Sequence, residues 1–238
     1  MKKTTSLVLP SMPNEYYNKF VGEGMIGKCY LTEEGQLFKE FLNKRNDYQV
    51  LKMISESFDS KHLAFPSTFI FLEDDPTALV AYLREYIQGY TFDKLPYSVK
   101  MEEFIKSLND FEKDLYENTR RGLEYRDMHA KNMIYRPDNI ITAIDTESFD
   151  YSYEDTKMRI IDSLYELYYT ICGEMLNCSM VADSQAQQII NRASKIGYQE
   201  FLRTSQMLEK LIEYLEKNRS CKIETYGDLK QNLVLRKG

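Results

Sequence analysis

Hydrophobic and polar positions change rhythm once along this chain, near residue 88. Residues 17–41 read as a strand, a glycine turn, a second strand and a third, with Gly35 marking a hairpin. Residues 44–57 then place Tyr48, Leu51, Ile54 and Phe58 on one helical face. Two apolar runs, 66–72 and 78–87, are parted by the turn-like stretch 73–76 and predict an antiparallel pair. After Gly89 the period lengthens. Residues 100–121 carry Phe104, Leu108, Phe111 and Leu115 at helical spacing. Two short strands, 132–135 and 140–144, flank the turn 136–139. From 157 the pattern is helical almost to the end, broken near 173–179 and 197. Leu164, Leu167, Tyr168 and Ile171, then Phe201, Met207, Leu211 and Tyr214, form stripes that read as core. The order predicts an α+β protein in two lobes: a small β-rich N-lobe over 1–88 and a mainly helical C-lobe over 89–238.

Composition narrows the class. Of 238 residues, 43% are hydrophobic and 29% charged, a globular mixture long enough to bury a large core. A net charge of −6 lacks the footprint of a nucleic-acid binder. Four cysteines without C-x-x-C spacing and only two histidines, His62 and His129, speak against a zinc site. Such thiols suit a reducing, cytoplasmic setting. The apolar stretch before Pro10 is too short for a signal peptide, and no run is long enough to span a membrane.

The first motif is Gly22-Glu23-Gly24-Met25-Ile26-Gly27. Alone, this spacing fits a plain glycine turn, a dinucleotide fingerprint or a loop over nucleotide phosphates. The fingerprint needs a helix after the last glycine, whereas residues 28–41 read as a hairpin. Glycine suits phosphate because backbone amides can approach its oxygens without a side chain between. Lys39 follows in the next strand, where a lysine is either solvated or set on the α- and β-phosphates by a helix carboxylate. Counting back four residues from Leu51 gives Asp47 for that carboxylate, with Glu56 as a second candidate.

A more specific run is Tyr125-Arg126-Asp127-Met128-His129-Ala130-Lys131-Asn132. Asp127 and Asn132 stand as D-x-x-x-x-N, and an apolar strand beginning at Ile140 ends in Asp145. Each residue alone is commonplace. Together they aim two oxygen ligands, Asn132 and Asp145, at one Mg2+ site and leave Asp127 to take or orient a hydroxyl proton.

This combination resembles the protein-kinase-like superfamily across most of the chain. The resemblance implies ATP and Mg2+ as cofactors, with Gly22, Gly24, Gly27 and Lys39 on the phosphates. Arg84 to Gly89 resembles the hinge whose backbone holds adenine, which nominates Glu85 and Ile87. His129 and Glu147 resemble the aminoglycoside- and choline-kinase branch. Asp162 resembles the aspartate that braces the catalytic loop. Departures are equally plain: Tyr125 stands for the usual His, Asp145-Thr146-Glu147 replaces D-F-G, and the segment before Asp162 is short.

The implied activity is transfer of the γ-phosphate of ATP to a hydroxyl. The compact C-terminal part, without a substrate-binding insertion, favours a protein Ser, Thr or Tyr. His129, Glu147 and the short segment favour a small-molecule acceptor. A pseudokinase, acting as a nucleotide- or protein-binding module, and an enzyme transferring AMP are further readings. Glu147, Asp150, Glu154 and Asp155 form an acidic stretch that reads either as a solvated loop or as an attractor for a cationic substrate. Tyr151, Tyr153 and Thr156 add hydroxyls there.

Overall fold

The computed structural model describes residues 3–152, 155–197 and 202–233. Tyr153, Glu154 and Phe201 lie outside the described residues. The protein is α+β, and the chain divides into two compact units, Met1–Ile87 and Gln88–Gly238.

The first unit is built on six strands and one helix: β1 (Thr5–Leu9), β2 (Lys19–Glu23), β3 (Gly27–Leu31), β4 (Gln36–Arg45), α1 (Tyr48–Ser57), β5 (Thr68–Leu72) and β6 (Leu79–Glu85). The sheet order is β1-β5-β6-β4-β3-β2. Only β1 runs parallel to its neighbour, β5. Both faces of the central strands are buried, which is why β6 reads as a continuous apolar run. One face gathers Phe41, Phe69, Phe71, Leu79 and Tyr82 with Leu51 of α1. The other gathers Phe38, Ile70, Val80, Ala81 and Leu83, covered by Leu9, Tyr16, Tyr17 and Tyr30.

Two expectations are corrected here. β4 extends to Arg45, so α1 starts at Tyr48 rather than 44, and Asp47 stands at its N-cap instead of inside it. Thr5–Leu9, read only as a short apolar stretch, is an edge strand. Its role needs β5 as partner, a contact distant in sequence and invisible to local periodicity.

The second unit carries α2 (Met101–Arg120), which packs against α3 (Thr156–Tyr168) and α5 (Thr204–Arg219), while α4 (Ser184–Ser194) packs on α5. A final helix, α6, spans Tyr226–Leu233. Small sheets connect the helices. β9 (Met133–Tyr135) and β10 (Ile141–Ala143) form the expected hairpin, and β7 (Tyr90–Thr91) adds to β9. β8 (Leu123–Glu124) pairs with β11 (Asp150–Tyr151). α3 runs on into a π-helical turn, Tyr169–Met175. The buried Glu112 of α2 accepts from Thr204 N at 2.7 Å, from Ser205 N and from the Ser205 hydroxyl. It thereby supplies the first turn of α5 with an acceptor, while burial pushes its own carboxyl above the usual range. Among the described residues no helix is long and apolar enough to cross a membrane.

Gly27 is fixed by packing. A Cβ there would lie 2.4 Å from the Glu40 carbonyl oxygen, whereas at Gly24 it would meet nothing within 4 Å. Gly27→Ala should therefore destabilise the chain by about 1–3 kcal/mol and Gly24→Ala by less than about 0.5 kcal/mol, read by denaturant unfolding.

Candidate active site

Residues 125–132 form a loop held at many points. Tyr125 is fully buried, its ring against Phe111 and Phe149 and its hydroxyl accepting from Asn118 at 3.2 Å. The tyrosine is thus an anchor in the helical core. Arg126 faces outward and reaches Glu124 at 2.9 Å and Asp150 at 3.4 Å. Asp127 has φ +58°, a left-handed conformation that Asp tolerates better than most residues. It turns the chain sharply between two well-packed neighbours, since Tyr125 and Met128 are each about 1% exposed.

His129 bridges two carboxylates. Its Nε2 lies 2.8 Å from Asp127 Oδ1 and its Nδ1 lies 2.7 Å from Glu174 Oε1. The other Glu174 oxygen accepts the backbone N–H of Ala130 at 2.5 Å. The Thr170 hydroxyl donates to the Met128 carbonyl. Thr170 and Glu174 both belong to the π-helical turn, so one short segment grips the loop from behind. The hydrogen bond to Glu174 raises the His129 pKa above its ordinary value; partial burial opposes this, and the charges of Asp127, Glu174 and Glu166 add to it.

Asn132 closes the loop. Its backbone N–H donates to the His129 carbonyl at 2.8 Å, and its side-chain Nδ2 donates to the Asp127 carbonyl at 2.9 Å. That bond leaves Oδ1 as the amide's acceptor atom. The Asn132 carbonyl receives the N–H of Ile144 at 2.9 Å, which fixes the strand end just before Asp145. Ser148 completes the link by donating to the Asp145 carbonyl at 2.9 Å and the Arg126 carbonyl at 3.1 Å. The hairpin register, Met133 opposite Ala143, thus brings Asn132 and the Asp145 segment together with Asp127. One amide oxygen and one carboxylate are hard donors suited to Mg2+, which keeps several waters and needs few protein ligands. Among the described residues no group of three His, Cys, Asp or Glu side chains gathers as a metal site.

Other predicted residues fall elsewhere. Asp162 is exposed on α3, with no hydrogen bond to the loop among the described residues; the bracing acid is Glu174, one helical stretch further on. Sequence reading missed Glu174 and Thr170. The available signal was a lone acid in the apolar run Tyr169–Met175, a placement that demands a polar partner. The acidic stretch is mostly committed to structure. Glu147 is buried, Asp150 meets Arg126, and Asp155 accepts from Lys157 N and Met158 N at the start of α3.

In the first unit, the segment from Gly22 to Gly27 is a hairpin closed by Gly24 N–H to the Gly27 carbonyl at 2.9 Å. It passes into β3, a strand, which removes the dinucleotide-fingerprint reading. Gly22 and Gly24 have open space where a Cβ would stand. Lys39 is buried in β4 at 7% exposure. Asp47 was expected to hold it, but both Asp47 oxygens receive Arg45 at 2.9 and 2.8 Å, and this hydrogen bonding pulls its carboxyl below the usual range. Glu56 accepts instead from Thr4. Ile87 is buried, and the Glu85 carbonyl accepts from Arg84 at 2.9 Å.

No family model matches the chain, and no curated protein matches it.

The grip of Glu174 is testable. Glu174→Gln should lower the His129 pKa, followed by NMR of the ring, and should speed hydrogen exchange at the Ala130 amide by about tenfold or more. For a raised histidine pKa, the ion-pair contribution to holding the loop is complete at low pH and fades as pH rises through the folded value. Exchange at Ala130 in the parent chain should accordingly quicken, beyond the base-catalysed trend, on the alkaline side of that value.

Proposed function

We propose that the chain is an atypical, compact member of the protein-kinase-like superfamily that uses Mg2+ and a nucleoside triphosphate, ATP by resemblance, to phosphorylate a hydroxyl. The observation that carries this reading is the convergence of Asp127, Asn132 and Asp145 through the hairpin and the Asn132 hydrogen bonds. In this reading the first unit is a β-rich N-lobe and the second a helical C-lobe.

Asp127 is the group that accepts or orients the proton of the attacking hydroxyl. The Asn132 amide and the His129 ring hold its carboxylate in one direction, so little reorganisation accompanies the transfer. His129 then acts through Asp127 as a positioning residue. Asn132 Oδ1 and the Asp145 carboxylate would hold Mg2+, which supplies neutralisation of the phosphate charge. Gly22 and Gly24, with nothing in the fold that fills the place of a side chain, suit a close backbone approach by phosphate. Lys39 would pair with the phosphates on the β4 side.

A second reading of the acceptor also has an observation behind it. α3 begins at Thr156, soon after the short turn and strand that follow Asp145. So short a stretch offers little platform for an extended peptide, which favours a small-molecule hydroxyl over a protein one. The scattered spacing of Cys29, Cys172, Cys178 and Cys221 suits a reducing compartment such as the cytoplasm.

Thermal shift with Mg2+ and ATP or GTP should raise the melting temperature, and γ-labelled nucleotide should pass its label to an acceptor from a panel of proteins and small alcohols. Asp127→Ala should cut turnover by about 10²–10⁴ while leaving nucleotide affinity within about threefold. Asp145→Asn should abolish the Mg2+ dependence of the shift. Binding without turnover on any acceptor would make the chain a pseudokinase, and transfer of an α-label would make it an AMP transferase. Failure of every nucleoside triphosphate to bind would end the nucleotide reading altogether.

A further inference from the structure

Arg84 has no part in the chemistry described so far, yet it is the most anomalous residue of the first unit. It lies at the end of β6 and is only 5% exposed. Its Nη1 donates to the Glu85 carbonyl at 2.9 Å, and its buried Nε has no hydrogen-bond partner among the described residues. A guanidinium stripped of water with a donor unanswered is costly to keep, so the position calls for an acceptor from outside the fold.

The strand register says which way this side chain faces. Arg84 stands opposite Leu37, and Tyr82 opposite Lys39. Directly opposed residues share a face, and residues two apart on a strand share it too. Arg84 and Lys39 are therefore on the same face of the sheet, one cross-strand pair apart. Leu37, between them on that face, offers Arg84 no acceptor.

We propose that Arg84 reads the base of the bound nucleotide and selects a 6-keto purine, guanine or hypoxanthine, over adenine. This rests on the nucleotide reading above, in which Glu85 and Ile87 border the base and Lys39 the phosphates. A guanidinium is a planar fork of donors with no acceptor. Guanine turns two acceptors, O6 and N7, toward such a fork, whereas adenine pairs its N7 acceptor with an amino donor at N6 and can answer only one arm. The Glu85 carbonyl that could take the adenine amine already receives Arg84 on one of its two lone pairs. Adenine thus brings a donor to one arm of the fork, and a 6-keto purine brings an acceptor to both.

The test is equilibrium binding of GTP, ITP and ATP to the full chain with Mg2+ by calorimetry, for the parent and for Arg84→Gln and Arg84→Met. GTP and ITP should bind about tenfold or more tightly than ATP, in line with the discrimination one such contact provides. Either substitution should bring the three nucleotides within about threefold of one another. Circular dichroism checks that each variant folds, and the parent ratio and the other variant decide if one does not. ATP binding as tightly as GTP, or a GTP preference unchanged in both variants, overturns the proposal and leaves the phosphotransferase reading standing. Binding of none of the three overturns both.

Discussion

The Glu174 carboxylate meets two demands at once: it satisfies the backbone N–H of Ala130 and holds the ring of His129. Remove either bond and the rear support of the loop from Tyr125 to Asn132 falls back on the other and on the Thr170 hydroxyl at the Met128 carbonyl. Asp127 is in a left-handed conformation that its neighbours must enforce, and His129 is the side chain that reaches it from the Glu174 side. Asn132 fixes the same carboxylate from the other direction and passes the order on to Asp145 through Ile144. The geometry of the site is thus a chain of hydrogen bonds that begins at one acid on a helix.

Much of the scaffold was legible from periodicity. The strands on either side of Gly35, the helix at Met101–Arg120 and the hairpin around Arg136 all follow from local alternation and turn residues. What was not legible depended on partners distant in sequence. Thr5–Leu9 becomes a strand because β5 lies beside it, and α1 starts late because β4 keeps pairing as far as Leu79. Apolar count alone does not reveal either.

The site divides in the same manner. Asp127, Asn132 and Asp145 stood out because their order along the chain is unusual, and a short hairpin joins them. Glu174 lies 45 positions beyond His129, and no spacing rule links the two. Asp162 attracted attention by its resemblance to the aspartate that braces the catalytic loop, but helical phase turns it to solvent. Asp47 illustrates how a plausible ion pair yields to a nearer one: Arg45 is two residues away and takes both oxygens. A resemblance names the roles; the register of each helix decides which acid fills them.

The π-helical turn Tyr169–Met175 gives this arrangement an unusual sensitivity to chain length. Wide turns of this kind hold an extra residue within an α-helix. Losing one residue there would let the helix rewind, and each α-helical position advances the side-chain direction by roughly 100°. Met175 or its neighbour would then swing to where Glu174 now points, and the acid would rotate off the loop. Point substitutions around Gly173 alter a contact, whereas a single-codon deletion alters the phase of every residue from there to the helix end at Met175. In a lineage of such chains, insertions and deletions would be filtered out of this stretch more severely than changes of residue type.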